Sequence, residues 1–224
     1  MRNYLLSAVV VAAAAVAPAQ ATTVPTIIFT ANTFTLPSYV TGSTTIQNFE
    51  SFAAGHQFPG TTGANPSSKT GNVSVEQGSV PNQFLAPDPS STNKYLSIAG
   101  GTYTVSFAPA QVFSFVLGSL DRYNSVTLTF ANGTSQILNG AGIIGQTDPG
   151  GSPNFGLSGR VTYDMGGGSA IVKAVFGSTQ AAFEIDNLVT AAPEPATWGM
   201  MILGFGLAGA QLRSRRRSAK LAVA

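Results

Sequence analysis

Alternation of apolar and polar residues with a period of two is the feature that most constrains the fold of this chain. In residues 102–107, and again in residues 125–130, every second residue is apolar. Successive side chains of a β-strand point to opposite faces, so this alternation predicts strands with one buried face. Residues 112–117 are more continuously apolar and predict an inner strand.

The spacing of the strand-like segments predicts how they are connected. Asn132 and Gly133 precede residues 135–138, and both types accept the positive φ of a hairpin turn. Short strands separated by Gly, Pro, Asn and Ser clusters predict an all-β fold, an antiparallel β-sandwich or jelly roll. Two long loops are expected at 53–71 and 143–159. Further strands are expected at residues 26–30, 44–49, 72–76, 95–98, 160–163, 170–176 and 182–189.

The N-terminal segment predicts export. Arg2 precedes an apolar run over residues 5–17, and Ala19 and Ala21 flank Gln20 in the small-x-small pattern of a signal-peptidase site. We therefore expect residues 1–21 to be a signal peptide, with signal peptidase and the Sec translocon as partners. The alternative is an uncleaved N-terminal anchor, although the run is shorter than a comfortable transmembrane span.

The C-terminal segment predicts a transmembrane helix over residues 196–212. These 17 residues carry no charge, and at about 1.5 Å per residue they make about 25 Å of helix, near the lower limit for a bilayer. Trp198 is placed for the outer interface. The alternative, a buried globular helix, is disfavoured by its glycines, which are costly in a soluble helix. By the positive-inside rule the cytoplasmic side takes the basic block, Arg213, Arg215, Arg216, Arg217 and Lys220.

The order of motifs in the same segment resembles the PEP-CTERM sorting signal. The resemblance is carried by Pro193, Glu194 and Pro195, then Trp198, then Gly204 and Gly206, then the arginine block. It implies a Gram-negative bacterium that exports the protein, holds it in the inner membrane by this helix, and cuts it near Pro-Glu-Pro with an exosortase, a membrane cysteine protease. Delivery to the cell surface or the extracellular space follows. Gly199 stands where many relatives carry alanine.

These two signals divide the chain into a signal peptide at 1–21, an ectodomain at 22–190 and a sorting segment at 191–224. Between residues 22 and 192, eight acidic side chains outnumber five basic ones. The basic residues of the ends therefore form no patch on the exported domain, and we expect no nucleic-acid partner. The absence of cysteine excludes disulfides, thiolate metal sites and cysteine nucleophiles.

The inventory of catalytic residues predicts that the protein is not an enzyme. The single histidine, His56, lies in a predicted loop, and no Gly-x-Ser-x-Gly elbow is present to supply a nucleophile for it. Zinc-ligand spacings and phosphate-binding glycine motifs are also absent. A glycoside hydrolase needs only two carboxylates, and it stays a minority alternative. Glu184 and Asp186 share one face of a strand, where we expect them to be exposed acids.

A second, weaker resemblance concerns residues 48–50 and 183–189. These segments look like the first and last strands of jelly-roll carbohydrate-binding modules, and the resemblance implies a structural calcium ion held by Glu50 and Asp186, with loop carbonyls completing its oxygen shell. The alternative is that both are ordinary surface charges, or that Asp186 hydrogen-bonds a neighbouring turn. No other cofactor is expected.

The sequence thus predicts an exported structural or adhesive protein of the extracellular matrix or envelope. The alternative is a calcium-stabilised carbohydrate-binding module, and a candidate partner is exopolysaccharide. Stacking platforms for sugar rings would come from tyrosines, the candidates being Tyr39, Tyr95, Tyr123 and Tyr163. A row of exposed aromatics would favour the module, whereas two converging buried acids in a cleft would favour a hydrolase.

Overall fold

Ten antiparallel strands make up the part of the chain that the structure describes before residue 193. The computed structural model describes residues 24–56, 67–88, 92–148 and 156–192, and, in the C-terminal segment, the helical residues 202–207, 209, 211 and 213. A short 3-10 helix, Gly140–Ile144, follows β7. The strands are β1 Thr26–Ala31, β2 Ser43–Gln47, β3 Ser67–Gln77, β4 Lys94–Ala110, β5 Val112–Leu117, β6 Asn124–Phe130, β7 Ser135–Asn139, β8 Gly159–Asp164, β9 Ile171–Ser178 and β10 Phe183–Ala191.

The strands form one hydrogen-bonded sheet in the order β1-β8-β5-β10-β4-β9-β6-β7, with β2 added to β10 and β3 added to β4. The predicted all-β, antiparallel fold is confirmed, and the hairpin at Asn132 and Gly133 joins β6 to β7. Gly133 has a φ of +85°, as the turn requires.

A continuous β4 is the main difference from the sequence prediction. Its first part pairs with β10 through Leu96–Ile98, and its second part pairs with β9 from Gly101 onward. Two segments predicted as separate strands are therefore one strand that changes partner. Gly101 faces Gly71 of β3 at this point. A Cβ on Gly101 would overlap the Thr70 carbonyl oxygen, so the close approach of β3 and β4 requires glycine.

The sheet curls so that its two halves face each other. β5 and β9 are three steps apart along the sheet, which is about 14 Å in a flat sheet. Yet the ring centroids of Phe115 on β5 and Phe176 on β9 are 5.0 Å apart. The halves thus pack like the layers of the predicted sandwich, but they are not two separate sheets, because β4 joins them by hydrogen bonds.

The strand prediction fails mainly at β3. Residues 67–71 were expected in a loop, but they extend β3 by pairing with residues 101–105 of β4. This stretch is polar and glycine-containing, so its alternation is weak. Backbone hydrogen bonds to a long partner strand decide its conformation instead.

Candidate functional site

A cavity of about 600 Å³ opens beside the start of β10. Its described wall comes from parts of the chain that are distant in sequence: the turn at 79–85, the connection between β5 and β6, Gly156, and residues 181–184. Its apolar lining is Val80, Pro81, Phe84, Leu85, Ala181 and Ala182, and its polar lining includes Ser119, Asp121, Tyr123 and Glu184. Such a volume is typical of sites for small molecules.

Local contacts hold the 79–85 turn in place. Val80 pairs with Phe84 as an isolated β-bridge, and the Ser79 hydroxyl accepts a hydrogen bond from the Ala86 amide at 2.9 Å. Gly118 permits the turn to approach β10, since a Cβ there would lie 2.6 Å from the Leu85 carbonyl oxygen and 2.8 Å from the Glu184 Cβ. These contacts fix the 79–85 turn against β10, so this part of the cavity wall is an ordered part of the fold.

Glu184 anchors this wall to β10. Its side chain is 1% exposed, and its two oxygens accept hydrogen bonds from the Leu85 amide at 3.0 Å and the Ser119 hydroxyl at 2.6 Å. The pKa of Glu184 is raised to about 7, chiefly by burial and also by the nearby Asp121 charge, although the two hydrogen bonds oppose the shift. The prediction that Glu184 is an exposed surface acid is therefore wrong.

Asp121 is the second acid of the cavity. It is 2% exposed, and its Oδ1 has no hydrogen-bond partner. Burial raises its pKa, while the neighbouring Tyr123 hydroxyl works in the opposite direction. Tyr123 also donates to the Ala181 carbonyl oxygen at 2.8 Å, which holds the far wall. The cavity therefore contains one carboxylate engaged by the protein and one with an unused acceptor.

We expect the free energy of unfolding to fall as the pH rises from 5 to 8. The pKa of Glu184 is raised from 4.5 to about 7, so between these values the folded state keeps a proton that the unfolded chain has lost. The contribution of Glu184 to the free energy of unfolding is fully present below its unfolded pKa, and it is lost as the pH rises to about 7. Asp186, whose pKa burial raises to about 7, acts in the same direction.

Urea unfolding at pH 5 and at pH 8 measures this difference in the free energy of unfolding. A shift of this size corresponds to about 3 kcal/mol for Glu184, and Glu184→Gln should remove that part of the pH dependence. The same acid-to-amide change at the exposed Asp148 is the control. A protein more stable at pH 8 than at pH 5 would contradict the expectation.

The two predicted calcium ligands, Glu50 and Asp186, are close enough for the charge of Glu50 to act on Asp186. Burial is the main cause that raises the pKa of Asp186; the Glu50 charge raises it as well, and the buried Arg160 lowers it. Glu50 accepts a hydrogen bond from the Lys94 amide at 2.8 Å, and Asp186 accepts one from the Asn187 amide at 2.6 Å. Asp186 thus already faces a cation of the protein itself. Within the described ranges, no group of three metal-ligating His, Cys, Asp or Glu side chains occurs.

The tyrosines do not form the surface row that sugar stacking would need. Tyr95 and Tyr163 are buried at 1% and 0% exposure, and they donate hydrogen bonds to the carbonyls of Gly78 and Ile143. Tyr39 is exposed, and Tyr123 belongs to the cavity.

His56 is half-buried rather than freely solvated. Its ring stacks on Phe52 with centroids 4.7 Å apart, and its carbonyl oxygen accepts a hydrogen bond from the Val75 amide at 3.0 Å. It does not line the cavity of Glu184. The structure therefore places the only imidazole of the chain away from the two buried acids.

The sorting segment begins where the sheet ends. β10 finishes at Ala191, and the predicted residues Pro193, Glu194, Pro195 and Trp198 lie outside the described residues, as do residues 1–21 and Arg215–Arg217. Residues 202–207, which include Gly204 and Gly206, are helical, and their large side chains are exposed. Arg213 is helical as well. Among the residues that the structure describes, no helix is both long and apolar enough to cross a membrane.

The comparison with known families identifies this segment. Residues 191–217, which begin at the last residue of β10, match the family model of the PEP-CTERM protein-sorting motif. The chain therefore carries a PEP-CTERM sorting motif, which implies an exosortase as the processing partner and export toward the cell envelope or surface. No curated protein matches the chain.

Sequence reasoning missed Asp121, Ser119 and the 79–85 turn as parts of a site. Nothing in their local pattern marks them, since Leu85 and Glu184 are separated by 99 positions in the chain. One usable signal was present. Glu184 lies between Phe183 and Ile185 on the closing strand, and an acid in such an apolar setting is a candidate for burial.

Proposed function

We propose that this protein is an exported, non-enzymatic component of the extracellular matrix or envelope, which an exosortase processes near Pro193-Glu194-Pro195. The observation that carries the proposal is the position of the sorting motif. The matched residues begin at 191, and the last strand ends at Ala191. All ten strands therefore precede the proposed cleavage site.

Cleavage at this position is compatible with an intact domain. The end of β10 is central rather than peripheral, because Ala191 pairs with Ser43 of β2 and with Val112 of β5. A cut beyond residue 192 removes none of these pairings. The released product would keep its core, and we propose that its role at the surface is structural or adhesive, with exopolysaccharide as a candidate partner.

The contacts of the buried acids support a non-enzymatic role over a hydrolase. A general acid must reach the substrate, within about 3 Å of the proton that it transfers. Both oxygens of Glu184 already accept hydrogen bonds from the protein and hold its groups in place. This arrangement suits a residue that holds the 79–85 turn in place better than one that donates a proton to a glycosidic oxygen.

The experiment is a fractionation of producing cells with and without the exosortase, followed by the mass of the C-terminus. We expect a shortened chain ending near Pro193 only when the protease is present. Glu194→Ala should abolish this product. The matched control is Asp88→Ala, which alters the other Pro-acid-Pro sequence, Pro87-Asp88-Pro89. A full-length C-terminus in both strains would contradict the proposal.

We also propose a calcium ion at Glu50 and Asp186 as a stabilising element of the domain. The effect of the Glu50 charge on Asp186 supports it, because a divalent cation between two like charges relieves their repulsion. Millimolar calcium should then raise the Tm of the wild type and leave that of Glu50→Gln unchanged. Asp164→Asn is the control for loss of one acid. An unchanged Tm in the wild type would end the proposal.

A further inference from the structure

The cavity beside β10 combines negative charge with apolar walls. Two buried acids, Asp121 and Glu184, line it, and none of the described residues that line it is basic. Burying carboxylates without a positive partner is unfavourable, which is why burial raises the pKa of Asp121. The cavity therefore favours an occupant that brings positive charge.

The orphan oxygen of Asp121 is an independent observation. A buried polar atom without a partner is uncommon in folded proteins, and each such atom needs an explanation. Asp121 Oδ1 is buried and unpartnered in a residue that lines the cavity. An ionised carboxylate accepts hydrogen bonds and donates none. The missing partner is therefore a donor.

The lining distinguishes between kinds of cation. Calcium takes six to eight oxygen ligands, whereas this cavity offers two carboxylates, and the described residues contain no cluster of three metal-ligating acids or imidazoles. An organic ammonium needs fewer ligands and carries an apolar body. Val80, Pro81 and Ala182 offer such a body a surface. A neutral polyol would supply donors but would leave the charge of the acids uncompensated.

We propose that this cavity binds a small organic cation, with a primary ammonium group beside Asp121 and Glu184 and the rest of the molecule against the apolar wall. The proposal is independent of sorting by the C-terminal motif. The ammonium donates to Asp121 Oδ1, while Glu184 contributes charge and keeps its bonds to Leu85 and Ser119. Aliphatic amines and amino sugars share this chemistry.

The test is isothermal titration calorimetry of the full-length chain in non-ionic detergent at pH 7.5. The probes are butylammonium, 1-butanol, glucosamine and calcium chloride. Butylammonium and 1-butanol have similar bodies and differ in charge. We expect butylammonium to bind at least about tenfold more tightly than 1-butanol, since a charge-assisted hydrogen bond would be lost with the alcohol. Comparing the affinities of glucosamine and butylammonium then shows whether the cavity prefers an ammonium ligand with a hydroxylated or an aliphatic body.

Two variants locate the binding. Asp121→Asn preserves the shape and removes the charge, and it should weaken butylammonium binding about tenfold. Gln83→Arg adds a positive charge at an exposed lining position and should weaken it similarly, without touching the buried acids. Ser135→Arg, on the exposed face of β7, adds the same charge elsewhere and should leave the affinity unchanged.

Three results would overturn the proposal. The first is equal binding of 1-butanol and butylammonium, which would mean an apolar site. The second is tighter binding of calcium that displaces butylammonium, which would mean a metal site. The third is the absence of any saturable heat with either amine. If Asp121→Asn does not fold, Gln83→Arg and its control decide the question alone.

Discussion

Replacing Arg160 with methionine should lower the free energy of unfolding by about 3–5 kcal/mol, because it removes the charge-assisted hydrogen bonds of a buried cation and leaves their acceptors without this donor. Arg160 is 1% exposed. Its guanidinium donates to the Phe34 carbonyl oxygen at 2.7 and 3.1 Å and to the Ser114 hydroxyl at 3.1 Å. One cation therefore ties the β1–β2 connection to β5.

The loss should depend on pH because of Asp186. Burial lowers the pKa of Arg160 to about 10, and the Asp186 charge opposes this shift. In the other direction, Arg160 lowers the raised pKa of Asp186. Without Arg160, the folded state penalises ionised Asp186 more strongly. The destabilisation by Arg160→Met should therefore be larger at pH 8 than at pH 5.

Urea unfolding of three variants separates charge from packing. Arg160→Lys keeps the charge but loses the planar fork, so it should fall between the wild type and Arg160→Met. The matched control is Arg122→Met, which removes an exposed ion pair with Asp148 at 2.6 Å and should change stability by less than about 1 kcal/mol. Equal losses for Arg122→Met and Arg160→Met would contradict a special role for the buried arginine.

The second large effect is expected at Phe176, where Phe176→Ala should lower the free energy of unfolding by about 3–5 kcal/mol. Its ring is fully buried on β9 and contacts rings from the opposite half of the curled sheet. The centroids of Phe113 and Phe115 on β5 lie 6.1 and 5.0 Å away, and that of Phe183 on β10 lies 6.0 Å away. Alanine would leave a cavity where the two halves meet.

Denaturant unfolding with two comparisons tests this account. Phe176→Leu keeps most of the volume and should recover more than half of the loss. Ile137→Ala removes a large side chain that is 64% exposed on β7 and should have an effect within about 0.5 kcal/mol. A loss below about 1 kcal/mol for Phe176→Ala would show that the two halves do not depend on this contact.

Both predictions bear on delivery to the cell surface. The proposed product ends just after β10 and has no disulfide to stabilise it. Its persistence outside the cell therefore rests on the packing of the curled sheet and on buried polar groups such as Arg160. Variants at Phe176 should be cleaved normally and then lost by proteolysis, whereas Glu194→Ala should remain folded but uncleaved.

Local patterns were sufficient for most of the strands. The period of two in residues 102–107 and 125–130 and the turn residues Asn132 and Gly133 predicted the second part of β4, β6 and the β6–β7 hairpin. Strand formation depends on alternation that is visible in a short window. The polar start of β3 at 67–71 was missed because its partner strand, and not its own sequence, makes it extended.

The candidate cavity could not have been predicted in the same way. Glu184 was expected on the surface, because an acid on a strand is usually exposed. Its burial depends on Leu85 and Ser119, which lie 99 and 65 positions away in the chain. The same holds for Arg160, whose partner Phe34 is 126 positions away. Such pairs become visible only when the chain is folded.

The sequence by itself determined most of the β-strands, the antiparallel class and the sorting motif at residues 191–217, since the signals for each lie in contiguous residues. The tertiary structure alone decided three things: that β4 joins two halves of one curled sheet, that Arg160 and Glu184 are buried, and that Asp121 faces a cavity. The physical reason is common to all three. Strand partners and the burial of polar groups are set by contacts between distant segments, and no local pattern records them.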